Sequence, residues 1–213
     1  LMEGSTPEFG DGSSGGYEIP KFRGASFHED KAEGNDQAQV DLSAVGKGYV
    51  AMRCTSDSKV KFQVILDDVT YTYSVVNGED QIFPLQSGDG HYVFKVMENI
   101  TDNKYAELYK CEADVSIKDP FDPFLRPNQY ANFSKDADCV AKARSFAEAA
   151  PDAESFVDAV YEYIRTSVTY DDVKAANVTS GYLPDPDATM SEQKGICFDY
   201  ACLTASMLRS MGI

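Results

Sequence analysis

Residues 194–213 read KGICFDYACLTASMLRSMGI, and this stretch decides the fold of the C-terminal half of the chain. From Cys197 to Met211, apolar side chains fall on nearly every side of a helical projection, which is typical of a buried helix. A cysteine stands at the predicted start of that helix, two residues after Gly195. The sequence therefore predicts a buried helix that opens with a thiol.

Cys197 is the candidate catalytic residue, in the role of a nucleophile. The helix dipole and the free backbone N–H groups at a helix start favour the thiolate, which is the reactive form of cysteine. Gly195 would let a substrate backbone come close, and the Cys197 N–H could donate to a developing oxyanion. This arrangement is typical of cysteine nucleophiles in papain-like chemistry, and a buried helix thiol is the structural alternative.

Two segments of the chain resemble a known family. In residues 195–213, Gly-x-Cys leads into an Ala- and Leu-containing helix that ends in Leu-Arg-x-x-Gly-Ile, and this closely resembles the nucleophile segment of the transglutaminase-like superfamily. Residues 161–171 resemble the helix and Tyr-Asp stretch that precede it in bacterial members, so the resemblance covers residues 119–213. It implies a papain-like core, acyl transfer on protein or peptide amides through a Cys197 thioester, and a secreted or cell-surface location.

The resemblance also implies a catalytic His and Asp on strands that follow the nucleophile helix. Both histidines of the chain, His28 and His91, come before Cys197, so neither matches the family histidine. We therefore expect residues 119–213 to be the N-terminal half of the domain, inactive alone. A complementary C-terminal chain or segment beyond Ile213 is expected to carry the His and Asp. The acyl acceptor, an amine or water, stays open because groups in that half help to select it.

The other candidate residues have structural interpretations that we favour. Gln193 could help to form an oxyanion hole, but a solvated loop position is the stronger interpretation. Tyr170 and Asp171 could line a cleft or pack at a helix end, and Arg209 is expected to make an ion pair near the end of the last helix. Four thiols are expected to be buried small apolar residues: Cys54, Cys111, Cys139 and Cys202.

Residues 37–118 contain several runs in which apolar and polar side chains alternate with a period of two. The runs are 60–64, 71–75, 92–96 and 108–115. Turn sequences such as Asn77-Gly78 separate them. The pattern predicts an antiparallel β-sandwich domain over residues 37–118.

After a proline-rich stretch the period changes to that of helices, with Ser134 and Asp152 as the predicted N-caps of two of them. Residues 1–36 are rich in Gly, Ser and charge, which is typical of a flexible leader or of a cloning remnant. The predicted fold is α+β: the leader over 1–36, a β-sandwich over 37–118, and the helical, nucleophile-bearing half of a papain-like transglutaminase core over 119–213.

The composition narrows the possible functions. Nineteen basic and 35 acidic residues give a formal charge of −16, which argues against binding to nucleic acid or to anionic membranes because both need basic patches. Asp185 and Asp187 lie at calcium-loop spacing without the Gly and Glu that such a loop needs, so neither a metal nor a cofactor is predicted. The alternative to an enzyme is a non-catalytic transglutaminase-like binding or scaffold module at the cell surface.

Overall fold

The structure is a computed structural model that describes residues 16–213; residues 1–15 of the predicted leader lie outside the described range. The strands are β1 (Glu33–Gly34), β2 (Ala38–Asp41), β3 (Tyr49–Cys54), β4 (Val60–Leu66), β5 (Val69–Val75), β6 (Gln81–Pro84), β7 (Gly90–Thr101), β8 (Lys104–Val115), β9 (Thr169–Tyr170) and β10 (Lys194–Gly195). The α-helices are α1 (Asp122–Leu125), α2 (Asp138–Ala149), α3 (Ala153–Ser167), α4 (Asp172–Asn177), α5 (Pro186–Glu192) and α6 (Cys197–Ser210). The α+β prediction is confirmed.

Strands β1 to β8 form two antiparallel four-stranded sheets. One has the order β1–β2–β3–β6 and the other the order β5–β4–β7–β8. Both sheets contribute to one buried cluster, with Val40 and Met52 from the first sheet and Phe62 and Phe94 from the second. We call residues 33–115 the β-rich region. Its antiparallel pairing is confirmed, while the sandwich arrangement and the domain boundaries stay predictions.

The alternating sequence explains the best-formed of these strands. In β4, Val60, Phe62 and Val64 are buried and the residues between them are half-buried, because successive side chains of a strand point to opposite faces. The chain then reverses at Asp67, whose φ of 49° lies in the left-handed region that Asp tolerates better than most residues.

Helices α2, α3 and α6 pack around a second core. Its buried members include Val140, Phe156, Leu203 and Met207. Helix α3 begins as the sequence predicted, because the Asp152 carboxylate accepts a hydrogen bond from the Ser155 N–H at 2.8 Å.

The start of α2 corrects the predicted cap at Ser134. The helix begins at Asp138, and the carboxylate of Asp187 accepts the N–H groups of Asp138 and Cys139 at 3.0 and 2.8 Å. Asp185 likewise caps α5 by accepting the Ala188 N–H at 3.0 Å. The two acids at calcium-loop spacing therefore hold helix ends.

The later part of the predicted leader is packed, which corrects the expectation of flexibility for it. The Tyr17 hydroxyl donates to the Met211 carbonyl at 2.5 Å, and its ring stacks on Phe156 with centroids 5.3 Å apart. Ile19 and Phe22 also pack against the helical core. These few apolar side chains, spread through polar sequence, hold the segment against the end of α6.

Residues 128–131 join the β-rich region to the helices. The Gln129 N–H donates to the Ile82 carbonyl at 2.9 Å, and its side-chain amide donates to the Ser74 carbonyl at 2.6 Å. The Tyr130 ring lies between Tyr73 and Phe198, at centroid distances of 6.0 and 5.6 Å. This contact sets α6 beside strands β5 and β6.

No helix formed by residues 16–213 combines the length and the apolar character that crossing a membrane requires.

Candidate active site

A short parallel ladder holds the chain that leads into α6. Strand β10 pairs with β9, so that the Thr169 N–H donates to the Gln193 carbonyl and the Asp171 N–H to the Gly195 carbonyl, both at 2.9 Å. These bonds hold the chain at Gln193 and Gly195, just before the N-cap, Ile196. The position of Cys197 is therefore set by backbone pairing as well as by its own helix.

Asp199 anchors the first turn of α6 from inside. Its side chain is fully buried and accepts hydrogen bonds from the Ile196 N–H at 2.8 Å and the Tyr182 hydroxyl at 2.5 Å. The Lys174 ammonium lies 2.8 Å from the same carboxylate. Burial raises the pKa of Asp199, but the bonds from Lys174, Tyr182 and the Ile196 N–H outweigh it, so its pKa lies below the ordinary value.

Gly195 gives Asp199 its space. A Cβ added at Gly195 would lie 2.7 Å from the Asp199 Cβ and 3.0 Å from one carboxylate oxygen. The sequence interpretation assigned this glycine to a close approach by substrate; the structure shows that the close approach is made by Asp199.

Cys197 is exposed and is the first residue of α6. A residue at this position has an N–H without an acceptor inside the helix, since the first turn leaves its donors unpaired. The helix start predicted from the sequence is thus confirmed. The accessible thiol therefore stands at the end of the helix where first-turn N–H groups lack an acceptor inside the helix.

The other four cysteines are buried, as expected. Burial raises the pKa of Cys54 to about 11 and the pKa values of Cys111 and Cys202 to about 12. It also raises the pKa of the Cys139 thiol. Cys202 is only five residues from Cys197 on the same helix. The two thiols differ in that Cys202 is buried and Cys197 is exposed.

Both histidines are engaged elsewhere in the molecule. His28 Nδ1 lies 2.8 Å from the buried Asp41 carboxylate, beside the first sheet. His91, on β7, lies 2.7 Å from Asp114 and 3.2 Å from Glu112. Neither histidine is paired with Cys197.

The structure also shows the positions of the three other residues that the sequence offered as parts of a cleft or an oxyanion hole. Gln193 is exposed, ends α5 with a φ of 52°, and uses its carbonyl in the β9–β10 ladder, which agrees with a loop position. Asp171 caps α4 by accepting the Lys174 N–H at 2.9 Å and lies 3.3 Å from the Lys194 ammonium. Tyr170 on β9 is half exposed.

Arg209 differs from its predicted role. Within residues 16–213 it forms no ion pair with a carboxylate, and its buried Nη1 has no hydrogen-bond partner there. Burial lowers the pKa of this guanidinium. The expected structural ion pair is therefore wrong for the described part of the chain.

Sequence reasoning missed Lys174, Tyr182 and Asp199 as members of the site. Asp199 carried a usable signal, because an acid at the third position of a helix commonly binds the N-cap N–H. The other two carried none, since they come from a polar stretch 17 and more residues upstream. No group of three or more His, Cys, Asp or Glu side chains suited to a metal occurs among the residues that the structure describes.

The comparison with protein families agrees with this geometry. Residues 140–213, which run from within α2 past the end of α6, match the model of the transglutaminase-like superfamily. The family predicted from the Cys197 stretch is therefore confirmed. Neither the curated proteins nor the solved structures yielded a match.

Proposed function

We propose that this protein catalyses cysteine-dependent acyl transfer on protein or peptide amides, with Cys197 as the nucleophile that forms the thioester. The single observation that carries the proposal is that, of five cysteines, the exposed one opens α6 within the family segment. The ladder to β9 and the buried Asp199 hold the backbone that carries the thiol, and covalent catalysis requires a nucleophile on a well-held element.

The reaction has two steps. The Cys197 thiolate attacks the amide carbonyl carbon, the C–N bond breaks, and the nitrogen leaves with a proton as ammonia or an amine. An amine or water then attacks the thioester carbonyl, the C–S bond breaks, and the thiolate returns. An amine acceptor gives an amide cross-link, and water gives a carboxylic acid.

The leaving nitrogen needs a proton donor, and this donor has to accept a proton again in the second step. His28 and His91 are both paired with carboxylates on the β-rich side of the molecule. We therefore propose that a complementary segment or chain, C-terminal to the nucleophile helix as the family resemblance implies, supplies the His and Asp. Residues 16–213 alone are then expected to form little product.

A papain-like arrangement and an extracellular or cell-surface location belong to the same proposal and rest on the family resemblance. The competing function is a non-catalytic binding or scaffold module. One observation favours it: the environment of Cys197 within residues 16–213 contains no histidine.

An affinity label separates the two functions without needing the histidine for turnover. A blocked glutamine peptide in which a chloromethyl ketone replaces the side-chain carboxamide presents an electrophile where the amide carbonyl would be. We expect one adduct, on Cys197, measured by intact mass and peptide mapping. The unreactive glutamine peptide should slow its formation by competition.

Cys197→Ala is the matched control and should give no adduct, whereas Cys202→Ala should still give one. Labelling that spreads over several cysteines, or that the glutamine peptide does not slow, would contradict acyl transfer at this site and favour the binding module.

A further inference from the structure

A cleft of about 400 Å³ lies between α6 and strands β5 and β6. From the β-rich region it is lined by Tyr71, Tyr73 and Gln86, and from the joining segment by Asn128 and Tyr130. From α6 it is lined by Ala201, Cys202, Ala205 and Arg209. The walls combine aromatic rings with hydroxyl and amide groups. Such a lining suits an extended peptide, whose backbone needs hydrogen-bond partners and whose side chains need contact area.

Arg209 gives the cleft a positive charge that the described residues leave unneutralised. Its side chain is half-buried, and Nη1 is buried without a partner in residues 16–213. Leaving a buried donor of a charged group unsatisfied is costly, so such a group is expected to have a partner in the working state of the protein.

Most other arginines of the chain are paired. Four of the other five contact a carboxylate within 3.5 Å among the described residues, and Arg144 on α2 does not; the four are Arg23, Arg53, Arg126 and Arg165. Arg209 differs from Arg144 in having a buried nitrogen without a partner. The chain has 35 acidic residues for 19 basic ones. In so acidic a chain an arginine finds a carboxylate easily, and yet the one in the cleft has none among the described residues.

The cleft begins one helical turn beyond the nucleophile. Ala201 and Ala205 follow Cys197 at intervals of four residues and give α6 a small-residue edge along which a bound chain can lie. At a rise of about 1.5 Å per residue, the twelve residues from Cys197 to Arg209 span about 18 Å. An extended peptide covers this length in about five residues.

We propose that this cleft binds an acidic peptide segment, with a carboxylate on Arg209 about five residues away from the substrate residue whose amide reacts at Cys197. Binding in the cleft does not itself depend on the proposed chemistry; only the register with Cys197 rests on the proposed function. The site thus selects substrates that carry Asp or Glu at one distance from the acyl donor.

The probe is a fluorescein-labelled peptide, ESGSGQSGSGE, which has a central glutamine and a glutamate five residues away on each side. The partner probe QSGSGQSGSGQ lacks only the two carboxylates. Because both sides are the same, the test does not depend on the direction in which the peptide lies. Fluorescence anisotropy gives the dissociation constants.

We expect the Glu peptide to bind about tenfold more tightly than the Gln peptide, since hydrogen bonds to charged groups are the stronger ones. Added salt should reduce this preference. Arg209→Gln should abolish it, Arg209→Lys should keep part of it, and Arg165→Gln, which changes an exposed arginine on α3, should leave it unchanged. The wild-type comparison of the two peptides needs no variant, so a folding defect in Arg209→Gln would not leave the proposal untested.

Equal affinity for the two peptides, absence of measurable binding, or a preference that survives in Arg209→Gln would each overturn the proposal. Cys197→Ala separates the two levels, because it removes the chemistry and should keep the preference for Glu. A Glu preference without affinity labelling of Cys197 would sink the proposed function and leave the acidic-peptide cleft standing. Labelling of Cys197 without any preference for the Glu peptide would support the proposed function and overturn the acidic-peptide cleft.

Discussion

The two ends of helix α6 are built in opposite ways. At its start, the buried Asp199 has a partner on every side, from the Ile196 N–H, Tyr182 and Lys174. Near its end, Ser206 Oγ and Arg209 Nη1 are buried without a partner in the described part of the chain. One helix therefore joins a fully bonded end to an end that holds an unpaired charge.

This difference separates two tasks. The proposed nucleophile has to be held still, and the hydrogen bonds of Asp199 hold the turn that carries Cys197. A recognition group has to stay available, and an arginine already paired inside the protein would have to break that pair to bind a substrate. We infer that the start of α6 is organised for chemistry and its end for binding.

The largest expected effect comes from Asp199→Ala. This change leaves the Lys174 ammonium and the Tyr182 hydroxyl without their acceptor. We expect the free energy of unfolding, measured by urea titration, to fall by about 3 kcal/mol, the low end for a broken buried pair because Lys174 keeps some contact with water. Asp158→Ala, at an exposed position of α3, is the control and should change it by less than about 0.5 kcal/mol. An equal decrease in the free energy of unfolding for both variants would show that the buried Asp199 stabilises the protein no more than an exposed acid does.

Gly195→Ala tests the packing around Asp199, whereas Asp199→Ala tests its charge and hydrogen bonds. The added methyl group would meet the Asp199 Cβ at 2.7 Å, so the start of α6 has to shift. A loss of about 2 kcal/mol is expected, as for other overpacked sites. The control is Gly24→Ala, where the new Cβ would come no closer than 3.4 Å to its neighbour. A Gly195→Ala protein as stable as the control would contradict the close approach.

Asp199→Asn should reveal the anchor in the pH dependence of stability. The pKa of Asp199 is lowered in the folded state, so its contribution is present above the unfolded pKa of about 3.9 and is lost as the pH falls toward the lower folded value. The wild type should therefore be more stable than Asp199→Asn at neutral pH. The difference should shrink below about pH 4. Thermal unfolding of both proteins across this range is the measurement, and a constant difference would argue against an ionised Asp199.

Arg209→Met should change the free energy of unfolding least, and it should increase it where the other changes decrease it. It replaces an unpaired, half-buried charge by an apolar side chain of similar length, so the free energy of unfolding should rise by about 1 kcal/mol. Arg165→Met, which removes an exposed pair with Glu162, should stay within about 0.5 kcal/mol of the wild type. A clear destabilisation by Arg209→Met would mean that the guanidinium has a structural partner, and the contrast between the two helix ends would fail.

Local patterns in the sequence predicted the parts of the fold that local rules control. Alternation located β4, β5, β7 and β8, the Asp152 cap located α3, and the Cys197 stretch located α6. Strand β3 was not located because five of its six residues are buried, which removes the alternation. The cap of α2 was missed because Asp187 lies 49 residues after the helix start.

For the candidate site, too, only the features that local sequence patterns control were predictable. The place of Cys197 at a helix start was predictable because its signal lies in its own helix. Its supports were not, because Lys174 and Tyr182 reach Asp199 through the fold and not through sequence spacing. The ion pair expected for Arg209 was wrong for a related reason. Its position near the C-terminal end of a helix predicts a favourable interaction with the helix dipole, but it does not predict which carboxylates the fold brings close.

Competitive alkylation of the five thiols tests the central claim, that Cys197 is the accessible and activated nucleophile, most directly. The native protein is treated briefly with limiting iodoacetamide near neutral pH, quenched, unfolded and mapped by mass spectrometry. Cys197 should be alkylated at least about tenfold faster than Cys54, Cys111, Cys139 or Cys202, whose burial and raised pKa values keep them protonated and inaccessible. Gly195→Ala should slow Cys197 without speeding the others. Labelling of Cys197 at the rate of the buried thiols, or more slowly, would contradict the account.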